Sequence, residues 1–269
     1  MRLSINQYIC PTKYPLENFL KISANSGAEA VGINANTLES VGTKKLKSLL
    51  KNFNLNVSSL NSAGYFLYNT SSKSEIQHKK NLTLIQHASE IEAETLCVIV
   101  GGISHGNWTL ENARNEIFTK LSKLTEESQK YGVKLGLEPI HPIDLHQKGC
   151  VNSISSAIDL VNNIPNLGII LDFFHSWWDP DLLDFFNNHM NKISLIQFCN
   201  IIEINQDMKP YRNIPLNGSI DISMLFHKAI TGGYNKLFEF ELFDRDLRGR
   251  SVEDVIKSSA NQFFNMSKK

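Results

Sequence analysis

The sequence predicts a single domain over residues 1–269 with an α/β architecture, a closed TIM barrel of eight β/α pairs, (β/α)8. Eight β-prone runs recur along the chain, stretches of helical periodicity separate them, and no linker rich in Pro, Gly or Ser divides it. The 269 residues also match the size typical of such barrels, about 250 residues. An open doubly wound sheet is disfavoured, because the segment after Ile5 reads Asn-Gln-Tyr and lacks a GxGxxG cradle.

The predicted strands are short runs rich in β-branched and other apolar residues. They are Arg2–Ile5, Ala30–Ile33, Val57–Leu60, Thr95–Val100, Lys134–Glu138, Leu167–Asp172, Ser194–Phe198 and Leu237–Leu242. Stretches between them place apolar residues on one helical face, as Ile117, Leu121 and Leu124 do. Helix N-caps are predicted at Thr109, at Asn152 or Ser153, and at Asp221. A final helix is predicted over Ser251–Phe264.

Composition excludes several classes of protein. Lys and Arg number 27, as do Asp and Glu, so the net charge is zero and 42% of residues are hydrophobic. This balance argues against a disordered chain and against a protein that binds the nucleic-acid backbone. The first ten residues do not read as a signal peptide, and no apolar run is long enough to span a membrane. The scattered Cys10, Cys97, Cys150 and Cys199 favour free thiols and a cytoplasmic location.

Polar side chains interrupt four neighbouring strands near their carboxyl ends. Glu138 ends the fifth strand, Asp172 ends the sixth, Gln197 lies in the seventh, and Glu239 and Glu241 lie in the eighth. In a (β/α)8 barrel these ends meet at the face that carries active sites. Burying several carboxylates there is costly unless a cation neutralises them. Oxygen-rich ligands without sulfur suit Mn²⁺ or Mg²⁺, with Co²⁺ or Zn²⁺ as alternatives.

Each of these residues, taken alone, also has a purely structural interpretation as a helix cap, an ion-pair partner or a packed side chain. Their corresponding positions on successive strands favour one shared site instead. Glu239 and Glu241 have the same parity in the strand, so both can point inward. The strand pattern alone therefore leaves open which of the two glutamates binds a metal.

These segments resemble the xylose isomerase-like sugar isomerases and epimerases, which include D-tagatose 3-epimerase-like enzymes, hydroxypyruvate isomerases and inosose dehydratases. The resemblance covers nearly the whole chain. The matching segments are residues 4–7, 57–64, 98–102, 137–142 (Leu-Glu-Pro-Ile-His-Pro), 171–180 (with Asp-x-x-His), 196–200 and 233–243. Two departures lie after the seventh strand: Asn200 replaces the usual Asp, and the segment Pro215–Asp221 is one residue shorter than usual.

The resemblance implies specific roles for residues of this chain. Glu138, Asp172, Gln197 and Glu241 would bind one divalent metal ion, with Gln197 standing where many members have His. The spacing from Tyr234 selects Glu241 rather than Glu239 as the ligand. The residues implied to contact substrate are Asn6, His141, His175, Trp178 and Arg212.

The implied activity is a metal-dependent isomerase or epimerase in carbohydrate metabolism. Glu138 and Glu241 would act as acid and base at a carbon next to a carbonyl, with the metal stabilising the enediolate. We expect a small sugar or sugar-like substrate, no nucleic-acid or membrane partner, and a homodimer or homotetramer by analogy. The alternatives are an inosose-type dehydratase on the same metal site, a barrel that only binds a ligand, and, least favoured, an apurinic-site DNA endonuclease.

Overall fold

In a computed structural model, which describes residues 1–105, 108–204 and 210–266, eight parallel strands close into one barrel. The barrel strands are β1 (Arg2–Asn6), β2 (Ala30–Asn34), β3 (Asn56–Gly64), β4 (Thr95–Ile99), β5 (Leu135–Leu137), β6 (Leu167–Asp172), β7 (Ile193–Phe198) and β10 (Leu237–Phe240). Each predicted strand corresponds to one of these, in the predicted order. The (β/α)8 prediction is therefore confirmed.

Helices surround the barrel. They are α1 (Leu16–Asn25), α2 (Ala35–Val41), α3 (Thr43–Phe53), α4 (Ser71–Glu90), α5 (Leu110–Gln129), α6 (Ile154–Asn163), α7 (Phe173–Ser176), α8 (Leu182–Asn188), α9 (Ile222–Thr231) and α10 (Val252–Met266). The side chains of Thr109, Ser153 and Asp221 accept backbone N–H groups at the starts of α5, α6 and α9. These are the caps that the sequence predicts, with Ser153 chosen over Asn152.

The hydrophobic core has two parts. The larger one fills the space between the strands and the surrounding helices, where Phe226, Phe238 and Phe263 contact one another. The smaller one fills the barrel interior and includes Cys97, Ile170 and Leu195. Among the described helices, none combines the length and apolar character needed to cross a membrane.

An antiparallel ribbon outside the barrel is absent from the sequence prediction. It consists of β8 (Asn200–Ile204) and β9 (Pro210–Asn213) and directly follows β7. Asn200 lies at its base, where its amide donates to the carbonyls of Pro215 and Ile220 at 2.6 and 2.9 Å. Asn200 therefore anchors the loop that follows the ribbon.

Strand register brings the polar residues of neighbouring strands to one level. Asp172 pairs with Gln197 between β6 and β7, and Gln197 pairs with Glu239 between β7 and β10. Glu138 and Glu241 immediately follow β5 and β10 and extend the ladders, since their N–H groups donate to the carbonyls of Val98 and Phe198. The carboxylates from three strands and the amide from a fourth consequently meet at the carboxyl end of the barrel.

Candidate active site

Glu239 forms the floor of the site inside the barrel. It is fully buried, and its carboxylate accepts hydrogen bonds from the side chains of Asn6, Ser58, Ser59 and Gln197 at 2.5–3.1 Å. The absence of a side chain at Gly32 leaves room for it, because a Cβ there would lie 2.7 Å from a Glu239 oxygen. The donors saturate both oxygens, so Glu239 has the contacts of a structural carboxylate.

Glu138 lies at the end of β5, on one side of the site. Its Oε2 accepts the Cys97 thiol at 3.1 Å, and its Oε1 lies 3.6 Å from His175 Nε2. Burial, together with the nearby charge of Asp172, raises the pKa of Glu138 to about 7. Both protonation states of this carboxyl are therefore accessible at neutral pH.

Arg212 connects the carboxylates of β6 and β10. It projects from β9 into the barrel mouth, where its Nη2 donates to Asp172 at 2.8 Å and lies 3.1 Å from Glu241. The guanidinium also packs 4.0 Å from the ring centroid of Phe174. Burial and the charges of Asp172 and Glu138 raise the pKa of Glu241 well above its ordinary value, although Arg212 opposes that rise. In the described part of the chain, Arg212 is the one buried cation among four buried carboxyl groups of the site: Glu138, Asp172, Glu239 and Glu241.

Gln197 is held by its amide nitrogen. Nε2 donates to Glu239 at 2.9 Å and to Glu241 at 3.3 Å. Its Oε1 is buried and accepts no hydrogen bond. A buried carbonyl oxygen without a partner costs free energy, so this atom is an available ligand.

His175 lies near two of the carboxylates, with Nε2 3.6 Å from Glu138 and 3.8 Å from Asp172. The backbone N–H of His141 donates to His175 Nδ1 at 3.1 Å. Burial and the charge of Arg212 lower the pKa of His175 well below its ordinary value, so the ring is neutral and its proton is on Nε2. An Nε2–H group is a donor, which fits contact with a substrate oxygen better than ligation of a metal.

The other predicted substrate contacts lie around the site rather than in its cavity. Asn6 donates to Glu239 at 2.8 Å and to Glu241 at 3.2 Å. His141 packs edge-on against Trp178, and the Trp178 indole N–H donates to the His175 carbonyl at 2.8 Å. Asn6 therefore positions Glu241, and His141 and Trp178 position His175.

A cavity of about 160 Å³ opens above these groups. Four predicted site residues line it: Glu138, His175, Arg212 and Glu241. Asp172 and Gln197 are fully buried beneath it. Its other lining residues, which the sequence analysis did not assign to the site, are Tyr8, Asn61, Ser62, Tyr65, Cys97, Ile99, Ile140, Lys148 and Phe243. Most of these follow or end predicted strands, a position that could have identified Asn61 and Ser62, whereas Cys97 lies inside the predicted fourth strand.

The donor set suits a divalent cation. Glu138, Asp172 and His175 offer atoms within 4.8 Å of one another, and Gln197 adds an oxygen without a partner. Because four carboxyl groups face one buried guanidinium, a second cation would relieve the excess negative charge. With His175 a donor, the residues that fit such an ion are Glu138, Asp172, Gln197 and Glu241.

Solved structures with the same fold cover almost the whole chain. The protein SMc04130 from Sinorhizobium meliloti 1021 superposes with a TM-score of 0.90 at 22% identity, over 98% of each chain. The IOLI protein, solved with a bound zinc atom, gives 0.84 at 17% identity over 99% of this chain and 98% of its own. The 3-keto-D-glucoside 4-epimerase YcjR from E. coli gives 0.79 at 15% identity over all of both chains.

Identities this low establish the fold and leave the reaction open. Among curated protein sequences, no relative matches this chain. A model of the xylose isomerase-like TIM barrel family matches residues 20–264, most of the chain. Together with the closed eight-stranded barrel, this match identifies the chain as a member of the xylose isomerase-like TIM barrel family.

Proposed function

We propose that this protein is a divalent-metal-dependent enzyme that moves a proton next to a carbonyl group, as an isomerase or epimerase of a sugar or a related small hydroxy-carbonyl compound. The observation that carries the proposal is the placement of Glu138 and Glu241 on one cavity, with Asp172 and Gln197 beneath them. The two glutamates come from β-strands separated by β6 and β7 in the barrel. They can therefore approach a bound substrate from different sides.

Glu138, Asp172, Gln197 and Glu241 would hold the metal. When bound, the ion would act as a Lewis acid on the carbonyl and adjacent hydroxyl oxygens of the substrate. Mn²⁺ and Mg²⁺ are the ions best suited to this oxygen donor set, and Co²⁺ and Zn²⁺ are alternatives. The Oε1 atom of Gln197 is oriented for this role, because the amide nitrogen of the same side chain donates a hydrogen bond to Glu239.

Glu138 and Glu241 would carry the proton. Both carboxyls line the cavity, so each can exchange a proton directly with a bound substrate. One glutamate would remove the proton from the carbon, and the other would return a proton to the same or the neighbouring carbon. The two outcomes correspond to epimerisation and isomerisation.

Arg212 and His175 would orient the reacting groups. Arg212 fixes one oxygen each of Asp172 and Glu241, which limits the rotation of both carboxyls. The His175 Nε2–H points toward the carboxylates at the cavity, where it can donate to a substrate hydroxyl. Neither residue needs to change its protonation state to perform these tasks.

Dehydration is the second candidate, and the observation that favours it is the presence of two carboxyls, Glu138 and Glu241, on one cavity. After the same first proton removal by one carboxyl, the other can protonate a leaving hydroxyl. Mass spectrometry of products distinguishes the two reactions, since isomerisation and epimerisation conserve mass whereas dehydration loses water.

Elemental analysis of protein purified without chelator tests the metal. We expect about one divalent ion per chain, and its loss in Asp172→Asn. The asparagine keeps a side-chain oxygen that can accept the Phe174 N–H and so cap α7, and the fold should therefore survive. Asp159→Ala, at an exposed position on α6, is the matched control and should retain the ion.

Proton exchange then tests the reaction. Ketoses incubated with metal-loaded protein in D₂O should gain deuterium next to the carbonyl, and Asp172→Asn should abolish this gain. A protein that binds no ion after reconstitution with Mn²⁺, Mg²⁺, Co²⁺ or Zn²⁺, or that exchanges no proton, would contradict the proposal.

A further inference from the structure

The lining of the cavity carries groups of opposite charge. The carboxyls of Glu138 and Glu241 line it together with Arg212 and Lys148. With a volume of about 160 Å³, the cavity fits a compact small molecule rather than a polymer. Lys148 belongs to the loop between β5 and α6, ten residues beyond Glu138, and the proposed proton transfer gives it no role.

The backbone at Lys148 is docked rigidly on the rim of the barrel. Its N–H donates to the Asp144 carbonyl at 2.8 Å, and its carbonyl accepts the Gly101 N–H at 3.0 Å. Gly149 continues this contact as a parallel bridge to Gly101. The loop also requires the glycine at 102, because a Cβ there would overlap the carbonyl of His146. The lysine side chain therefore starts from a fixed point beside the end of β4.

The Lys148 ammonium forms no ion pair among the described residues, although its charge acts on Glu138 and counters the rise of that carboxyl's pKa. It lies 5.3 Å from the ring centroid of Phe243, and no ion pair links it to a carboxylate within the described ranges. Arg212 differs in this respect, because it is already committed to Asp172 and Glu241. Lys148 is half-buried, and its ammonium is not committed to an ion pair in the described part of the chain, so it is available to bind an anion.

We propose that Lys148 binds a carboxylate of the substrate, which makes the substrate a small hydroxy-carbonyl acid. This inference rests on the proposed function and names its substrate class. Lys148 attracts an anionic group to its part of the cavity, which orients the substrate with its reacting end toward Glu138 and Glu241.

Hydroxyl groups complete the subsite for the acid. The hydroxyls of Tyr8, Ser62 and Tyr65 line the same cavity, and those of Ser62 and Tyr65 hydrogen-bond each other at 2.9 Å. One ammonium in a cavity that is also lined by these hydroxyl-bearing residues matches the single charge of a carboxylate. A phosphate monoester shares this chemistry but carries more charge, and it forms a separate arm of the test.

Calorimetric titration of the metal-loaded protein with three matched ketoses tests the inference. D-Fructose is neutral, D-fructuronate has a carboxylate in place of its terminal hydroxymethyl group, and D-fructose 6-phosphate carries a phosphate there. We expect D-fructuronate to bind the unmodified protein about 10- to 100-fold more tightly than D-fructose, the range expected for a charge-assisted hydrogen bond. A preference for the phosphate over the carboxylate would overturn the carboxylate assignment.

Two variants assign the preference to the lysine. Lys148→Met keeps the apolar stem and removes the charge, so it should bind D-fructuronate and D-fructose equally. Lys148→Arg keeps the charge and should retain most of the preference. Thermal melting should place both variants within a few degrees of the unmodified protein. Equal binding of the three ketoses by the unmodified protein, no binding of any, or an unchanged preference in Lys148→Met would overturn the inference.

The outcomes separate this inference from the function on which it rests. If D-fructose exchanges its proton in D₂O and Lys148→Met changes no affinity, the proton-transfer function stands and the carboxylate subsite falls. If acid binding depends on Lys148 but no proton exchanges, the subsite stands and the proposed reaction falls.

Discussion

Glu239 in β10 and Glu241, which immediately follows it, lie two residues apart, yet their surroundings differ. Glu239 is fully buried beneath the site and accepts hydrogen bonds from four side chains. Glu241 lines the cavity, contacts Arg212, and has a pKa raised by burial and by neighbouring carboxylates. Saturation by neutral donors makes one glutamate a structural group, whereas partial pairing in a crowded acidic cluster leaves the other available for chemistry.

Removal of the Glu241 charge should have the largest effect on activity. We expect Glu241→Gln to keep the fold and to lose at least about two powers of ten in turnover, because general acid–base catalysis contributes about that much. Deuterium incorporation into a ketose, measured by NMR, checks this outcome. Turnover close to that of the unmodified protein would show that Glu241 does not carry the proton.

Removal of the Glu239 acceptor should mainly affect stability. Glu239→Ala leaves buried donors of Asn6, Ser59 and Gln197 without their partner, which should lower the free energy of unfolding by about 3 kcal/mol. For a chain of this size the midpoint of thermal unfolding should fall by roughly 5–10 °C.

Glu239→Gln is the matched control, since it keeps the volume and one carbonyl acceptor. It should lose less stability than Glu239→Ala. If both variants melted like the unmodified protein, the distinction between the structural and the chemical glutamate would be wrong.

The raised pKa of Glu138 predicts a pH dependence for the metal-free protein. Folding raises this pKa from 4.5 to about 7, so the folded state binds a proton that the unfolded state releases. Stability should therefore increase as the pH falls from about 8 to about 6.5, and Glu241 contributes with the same sign. Below about 6.5 the lowered pKa of His175 opposes the trend, because the unfolded histidine then gains a proton.

Thermal melting in the presence of a chelator checks this dependence. The melting temperature should be higher at about pH 6.5 than at about pH 8, and Glu138→Gln should reduce the difference. A lower melting temperature at the lower pH would contradict the charge distribution described for the site.

Hydrophobic patterning was sufficient to predict the barrel, although some strand ends differ. β3 continues to Gly64, whereas the predicted strand ends at Leu60. The prediction stops there because the polar residues Asn61 and Ser62 interrupt the apolar pattern. β5 ends at Leu137, just before Glu138. The positions of Glu138, Asp172, Gln197 and Glu241 follow from one rule, since the carboxyl ends of all barrel strands face the same way.

The remaining contacts depend on how distant segments dock, which local pattern does not encode. Arg212 lies on an unpredicted ribbon, and the resemblance alone implied a substrate contact. The structure places its guanidinium at the cavity, between Asp172 and Glu241. Lys148 was missed because it lies far from any strand end in sequence. It reaches the cavity through the backbone contact of its loop with Gly101. Ser58 and Ser59 read as ordinary strand residues, although they hydrogen-bond Glu239.

Arg212 also makes the peripheral ribbon part of the cooperative folding unit of the barrel. Fraying of an external two-stranded ribbon normally exposes little apolar surface and costs little free energy. Here the same opening would withdraw a buried guanidinium from Asp172 and Glu241. The two carboxylates would then remain in a low-dielectric interior without their cation. The ribbon is thus held to the barrel by an ion pair rather than by buried apolar area. Its attachment therefore depends on the ionisation of the carboxyl groups that Arg212 contacts.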